Sequence, residues 1–73
     1  MNHPAALEKF LASTKVRRGK RTVARLVPGW RSFEDGDQTV YVRHATRGGE
    51  FHARYVNGRV VYTAVGLEYT FVQ

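Results

Sequence analysis

Cationic and aromatic side chains are where this sequence could do chemistry. The stretch Lys15-Val-Arg-Arg-Gly-Lys-Arg21 carries five basic residues in seven. Like charges this dense repel one another and Gly19 disfavours a helix, so 15–21 is predicted to be a mobile basic linker. A solvated loop is the ordinary explanation of a charge run. Five adjacent cations nevertheless gain most from a phosphate or carboxylate partner, which makes Lys15, Arg17, Arg18, Lys20 and Arg21 candidate partner-binding residues. A second set is Tyr41, Arg43, His52, Arg54, Arg59 and Val61. Aromatic rings flanked by arginines on an exposed sheet are what single-stranded nucleic acid uses, with rings against bases and guanidinium groups on phosphates. Tyr41, Arg43 and Arg54 are the candidates there. No Lys/Arg-Gly-Phe-Gly-Phe pattern accompanies them, and cross-strand Tyr and Arg also serve simply to cover a sheet.

Other chemistries find little support. The chain has no Cys, so disulfides, a thiolate nucleophile and a cysteine zinc site are excluded. Glu34-Asp35-Gly36-Asp37 lacks the spaced oxygen ligands and late Glu of an EF-hand loop. It reads instead as a surface turn with Asp35-Gly36 as pivot. His44 and His52 are expected on opposite faces of a sheet, where they could not share a metal. The carboxylates sit in turns and do not converge in pairs, so no enzyme, cofactor, metal or small-molecule substrate is expected.

The element that must position these residues runs from Glu50 to Thr63. Asn57-Gly58 is the signature of a type I′ hairpin turn, which needs positive φ at both central residues. The register follows: Val56 faces Arg59, Tyr55 faces Val60, Arg54 faces Val61 and Ala53 faces Tyr62. One face then carries Phe51, Ala53, Tyr55, Val60, Tyr62 and Ala64 as core; the other carries His52, Arg54, Val56, Arg59, Val61 and Thr63. Thr39 to Thr46 alternates as a preceding strand. With Gly48-Gly49 as its turn, Val42 lies opposite Tyr55 and His44 opposite Ala53. That register puts Val40, Val42 and His44 in the core and Tyr41, Arg43 and Ala45 outside.

Before these strands, Ala6, Leu7, Phe10 and Leu11 share one side of a short helix at about 4–13, with Pro4 at its first position and Asn2 or His3 as cap. So short a helix needs a platform, which the apolar hairpin face supplies; docking into a partner's groove is the alternative. Arg21 to Val27 reads as a strand ended by Pro28-Gly29. Trp30 reads as a lid over the core edge. After Gly66, Leu67 to Val72 supplies a last strand with Leu67, Tyr69 and Phe71 on one side. The expected fold is α+β: one short N-terminal helix packed on a four- to five-stranded antiparallel meander over 21–72, in a single small domain spanning 1–73.

Twelve Lys and Arg against six Asp and Glu give a net charge of +6 and a pI near 10.3. That balance attracts nucleic acid, an anionic membrane or an acidic protein. Nine of the twelve cations are Arg, which favours bidentate contacts, although a high-GC genome would give the same ratio. No apolar run approaches a membrane span and no charged start leads into a signal-peptide core, so a cytoplasmic protein without a membrane partner is expected.

The length, the opening Met-Asn-His-Pro-Ala-Ala-Leu-Glu-Lys-Phe-Leu-Ala, the basic 15–21 segment and the β-rich remainder resemble the small regulators by which lytic Xanthomonas phages control host RNA polymerase. The resemblance spans the chain and rests on no general motif, so no contact residue is carried over. It implies binding to the host bacterial RNA polymerase near the N-terminal region of the β′ subunit and the β flap. It also implies inhibition of initiation by σ-factor displacement, and antitermination. Nascent RNA or DNA is a further partner compatible with the charge. The alternative drawn from the residues is a small basic single-stranded nucleic-acid-binding domain.

Overall fold

The computed structural model describes residues 4–62 and 69–73. The expectations for Asn2 and His3 as caps, for Thr63 and Ala64 on the hairpin, and for Gly66 and Leu67 lie outside those residues. The described elements are α1 (Ala5–Ala12), β1 (Lys15–Arg18), β2 (Arg21–Arg25), β3 (Arg31–Asp35), β4 (Gln38–His44), β5 (Glu50–Val56), β6 (Arg59–Tyr62) and β7 (Tyr69–Val72). The class is α+β with one short helix, as the sequence implies. The strands divide between two antiparallel sheets, β2-β1-β7 and β3-β4-β5-β6, where a single meander was expected.

Two strands lie where the sequence suggested none. The basic 15–21 segment is no linker: Lys15–Arg18 and Arg21–Arg25 form a hairpin closed by Gly19 and Lys20. One side chain explains much of this. Val16 is fully buried, paired with Ala24 on one side and Phe71 on the other, so the strand is anchored through its single apolar residue while its cations stay outside. β3 went unrecognised because every residue of Arg31–Asp35 is exposed, leaving no alternation to read. Its turn to β4 also pivots one residue later than expected, on Gly36-Asp37, since Asp35 pairs with Gln38 and Gly36 takes the positive φ of 64°.

The helix begins at Ala5, one residue later than expected, so Pro4 is its N-cap instead of its first residue, and the Pro4 carbonyl accepts the Glu8 N–H at 3.0 Å. Leu7 and Phe10 are buried, and α1 lies against β5 and β7, as the hairpin-platform reading requires. Phe71 is the hub of the packing. Its ring meets Phe10 edge-on at 4.8 Å, Tyr62 at 5.1 Å and Phe51 at 5.8 Å. Leu7, Phe10, Val16, Leu26, Tyr41, Ala53 and Phe71 form the core between the sheets and the helix.

The Asn57-Gly58 hairpin has the expected register and positive φ values of 52° and 74°. Its neighbour does not. Tyr41 pairs with Ala53 and His44 with Glu50, a shift of three residues from the Gly48-Gly49 register. An odd shift turns a strand over. The cause lies in the 45–49 connection, which is longer than a two-residue turn because it ties the two sheets together. Ala45 bridges Leu26, the Thr46 N–H donates to the Arg25 carbonyl at 2.9 Å, and the Val27 N–H donates to the His44 carbonyl at 2.8 Å. β4 therefore leaves the ladder early.

Candidate functional site

The inverted β4 decides the fate of the predicted sheet site. Tyr41 and Arg43 face inward. Tyr41 belongs to the core and meets Trp30 edge-on at 5.4 Å, which makes Trp30 a partial lid over it. Arg43 is only 2% exposed. Its Nη1 donates to the carbonyls of Phe10 and Leu11 at 2.8 and 2.9 Å, and its Nη2 donates to those of Ser13 and Val27 at 2.9 and 3.1 Å. The guanidinium thus caps the end of α1, where the last carbonyls lack helical partners and the dipole favours a cation. Burial pushes its pKa below the ordinary value, but a guanidinium remains charged. Neither residue is available to stack on a base or grip a phosphate.

Arg54 does lie on the outer face, as predicted, but its charge is committed. Nη1 donates to Asp35 Oδ2 and to Gln38 Oε1, both at 3.0 Å. Next to it, Glu50 gathers His52 at 2.8 Å, His44 at 3.6 Å and Arg31 at 3.7 Å. The hydrogen bond from His52, followed by the charges around it, holds the Glu50 carboxyl below the usual carboxylate range. His44 and His52 consequently share one face, contrary to the expected opposition. With Arg31 on the same carboxylate the group is an ion-pair network, and no cluster of three or more His, Asp or Glu among the described residues could hold a metal. This outer face also shows Phe33 and Val61, 43% and 52% exposed.

The basic hairpin is organised differently. Paired residues share a face, so Val16, Ala24 and Phe71 look into the core while Lys15, Arg17, Thr22, Arg25 and Thr70 look out from the three-stranded sheet. A bulge at Val23 separates the Ala24 and Thr22 pairings. Arg18 and Arg21 pair with each other at the exposed tip beside Lys20. Residues 15–25 hold six cations and no acid; the rest of the chain holds six of each, so this hairpin accounts for the whole net charge of +6. No carboxylate among the described residues forms an ion pair with any of the six.

Along β2 runs an open cleft of about 410 Å³, walled on its other side by 45–48 and flanked by Arg25 and Arg47. These two arginines were not singled out from the sequence. The signal for Arg25 was present, since the acid-free run continues past Arg21 as far as Phe33; Arg47 is brought close only by the sheet-linking 45–49 connection. The structure thus groups Lys15, Arg17, Arg18, Lys20 and Arg21 on one hairpin, separates them from Arg54, and removes Tyr41 and Arg43 from the surface.

No protein-family model, curated protein or solved structure matches the chain. Among the described residues, no helix is long and apolar enough to cross a membrane.

Proposed function

We propose that this chain is a non-enzymatic, phage-encoded transcription regulator. It acts in the cytoplasm of the host cell by binding bacterial RNA polymerase near the β′ N-terminal region and the β flap. Binding there inhibits initiation through displacement of the σ factor and favours antitermination. What supports the reading is the hairpin of Lys15 to Arg25: six cations fixed on a folded scaffold, with no carboxylate among the described residues paired to them. A field of one sign on a small protein accelerates encounter with an acidic partner and falls off with salt. A polymerase offers such partners in its own acidic patches and in the nucleic acid it holds. The buried Arg43 and the paired Arg54 narrow the candidate contact surface to the hairpin, with Phe33 and Val61 on the four-stranded sheet as the exposed apolar residues suited to a protein contact.

Retention of the protein on immobilised core RNA polymerase is the test. Capture at low salt, competed by σ factor, is the expected result; no capture at low salt would end the reading.

A further inference from the structure

The hairpin carries an energetic oddity that charge totals do not reveal. Lys15 lies directly opposite Arg25, and Arg18 directly opposite Arg21. Like charges in directly opposed positions destabilise a β-ladder, and here no described carboxylate relieves either pair. The other sheet shows that this chain has the alternative, since Arg31, Arg54, His44 and His52 all lie against acids there. The Lys15/Arg25 pair shares the outer face with Arg17, while Arg18/Arg21 lies at the tip on the other face; three cations along the outer face gain most from an anion whose charges repeat along its length.

We propose that the outer face of the three-stranded sheet, continued by Arg25 and Arg47 around the cleft, binds the phosphodiester backbone of nucleic acid directly and without regard to sequence. Three observations favour phosphate over an acidic protein segment. The face is built from Lys15, Arg17 and Arg25 with the hydroxyls of Thr22 and Thr70, the donor types that contact phosphate oxygens. Half-buried Val72 lies opposite Lys15 on this face, but no aromatic side chain does among its described residues, whereas protein interfaces bind chiefly through Trp, Tyr and Arg anchors in buried pockets. Residues Lys15 and Arg17 project from the same face of a rigid strand, so they track an extended polyanion without the ordering cost of a flexible tail.

The chemistry is shared by RNA and DNA, and base stacking has no part in it. This inference does not depend on the polymerase reading, and its experiment contains no polymerase. Failure here would leave polymerase capture to be judged by itself, and failure of capture would leave this face untouched.

The experiment measures fluorescence anisotropy of labelled oligouridine and of a labelled duplex DNA titrated with the full chain, across a salt series. About four phosphate contacts on a single strand predict a log–log slope near −3, so a fourfold rise in salt weakens binding by about 50-fold. Arg17→Glu/Arg25→Glu is expected to abolish binding. Lys9→Glu/Arg59→Glu, an equal charge change away from this face, is expected to leave all but a small nonspecific part. Adding RNA should raise the thermal midpoint of the unmodified protein and not that of the double variant, which also confirms that the variant folds. Binding to either nucleic acid supports the assignment, and the tighter one names the source. No binding at low salt, a flat salt response, unchanged binding by the double variant, or equal affinity for poly-glutamate would overturn it.

Discussion

On the four-stranded sheet Arg54 meets Asp35 at 3.0 Å and Glu50 collects Arg31 and two histidines, whereas on the three-stranded sheet Lys15, Arg17 and Arg25 stand beside one another with no acid in 15–25. Both sheets are antiparallel and both turn one face to the same core. On the four-stranded sheet Arg31, His44, His52 and Arg54 lie against acids, beside Val40 and Val42, both fully buried on that outer face. Charge on the three-stranded sheet meets no carboxylate among the described residues, which is the basis for proposing an anionic partner there.

The same comparison extends to individual arginines, and the widest gap should separate Arg43 from Arg17. Arg43→Ala removes the donor to four carbonyls and leaves the end of α1 uncapped, which should cost at least about 3 kcal/mol. In a chain of 73 residues that lowers the thermal midpoint by well over 10 °C, at roughly 4–8 °C per kcal/mol. Arg17→Ala, exposed and unpaired, should leave the midpoint within a degree or two. Thermal unfolding followed by circular dichroism separates the two, and equal effects would break the distinction between structural and free cations. Lys at position 43 should not rescue, because one ammonium cannot span the four acceptors that the guanidinium fork reaches.

A smaller effect should distinguish the paired from the unpaired surface. Arg54→Glu sets a carboxylate against Asp35 in a half-exposed site and should cost about 0.5–1 kcal/mol, an amount that shrinks in high salt. Arg25→Glu does the reverse, setting a carboxylate opposite Lys15, and should gain a few tenths to about 1 kcal/mol. Denaturant melts of both variants read the two signs directly. A destabilised Arg25→Glu would show that the like-charge pairing is not a liability.

The smallest effect concerns pH. The Glu50 carboxyl titrates below its ordinary range in the folded protein, so the unfolded chain takes up its proton first as pH falls. The stabilisation it supplies is fully present above the ordinary carboxylate pKa and is lost as pH drops through the depressed folded value. Replacing Glu50 by Gln should therefore flatten the acid side of the stability profile slightly. A profile as steep as that of the unmodified protein would place the acid sensitivity elsewhere.

Much of the fold was legible. The Asn57-Gly58 turn specified its register through backbone chirality, and the Leu7/Phe10 spacing identified the buried side of α1. β4 was misread because alternation carries no information in a strand buried on both faces: Val40 and Val42 pointed as persuasively inward as Tyr41. Placing an arginine in the core looks wrong by composition, and only the carbonyls at the end of α1, more than thirty residues away in the chain, make it right. The basic run was legible as a run, but its arrangement was not, and Arg43 was wrongly placed on the surface. A charge run suggested disorder, and a single buried Val16 with its partners Ala24 and Phe71 was enough to make it a hairpin.

The most direct measurement uses Arg21→Glu/Arg25→Glu, which turns both like-charge pairs into ion pairs on an otherwise unchanged scaffold. Thermal midpoint and affinity for oligouridine are read on the same sample. The free-cation hairpin predicts that they move in opposite directions, the midpoint rising by several degrees while binding is lost. A variant that binds as tightly as the unmodified protein, or one that loses stability along with binding, would contradict the claim that these charges are held open for an anionic partner.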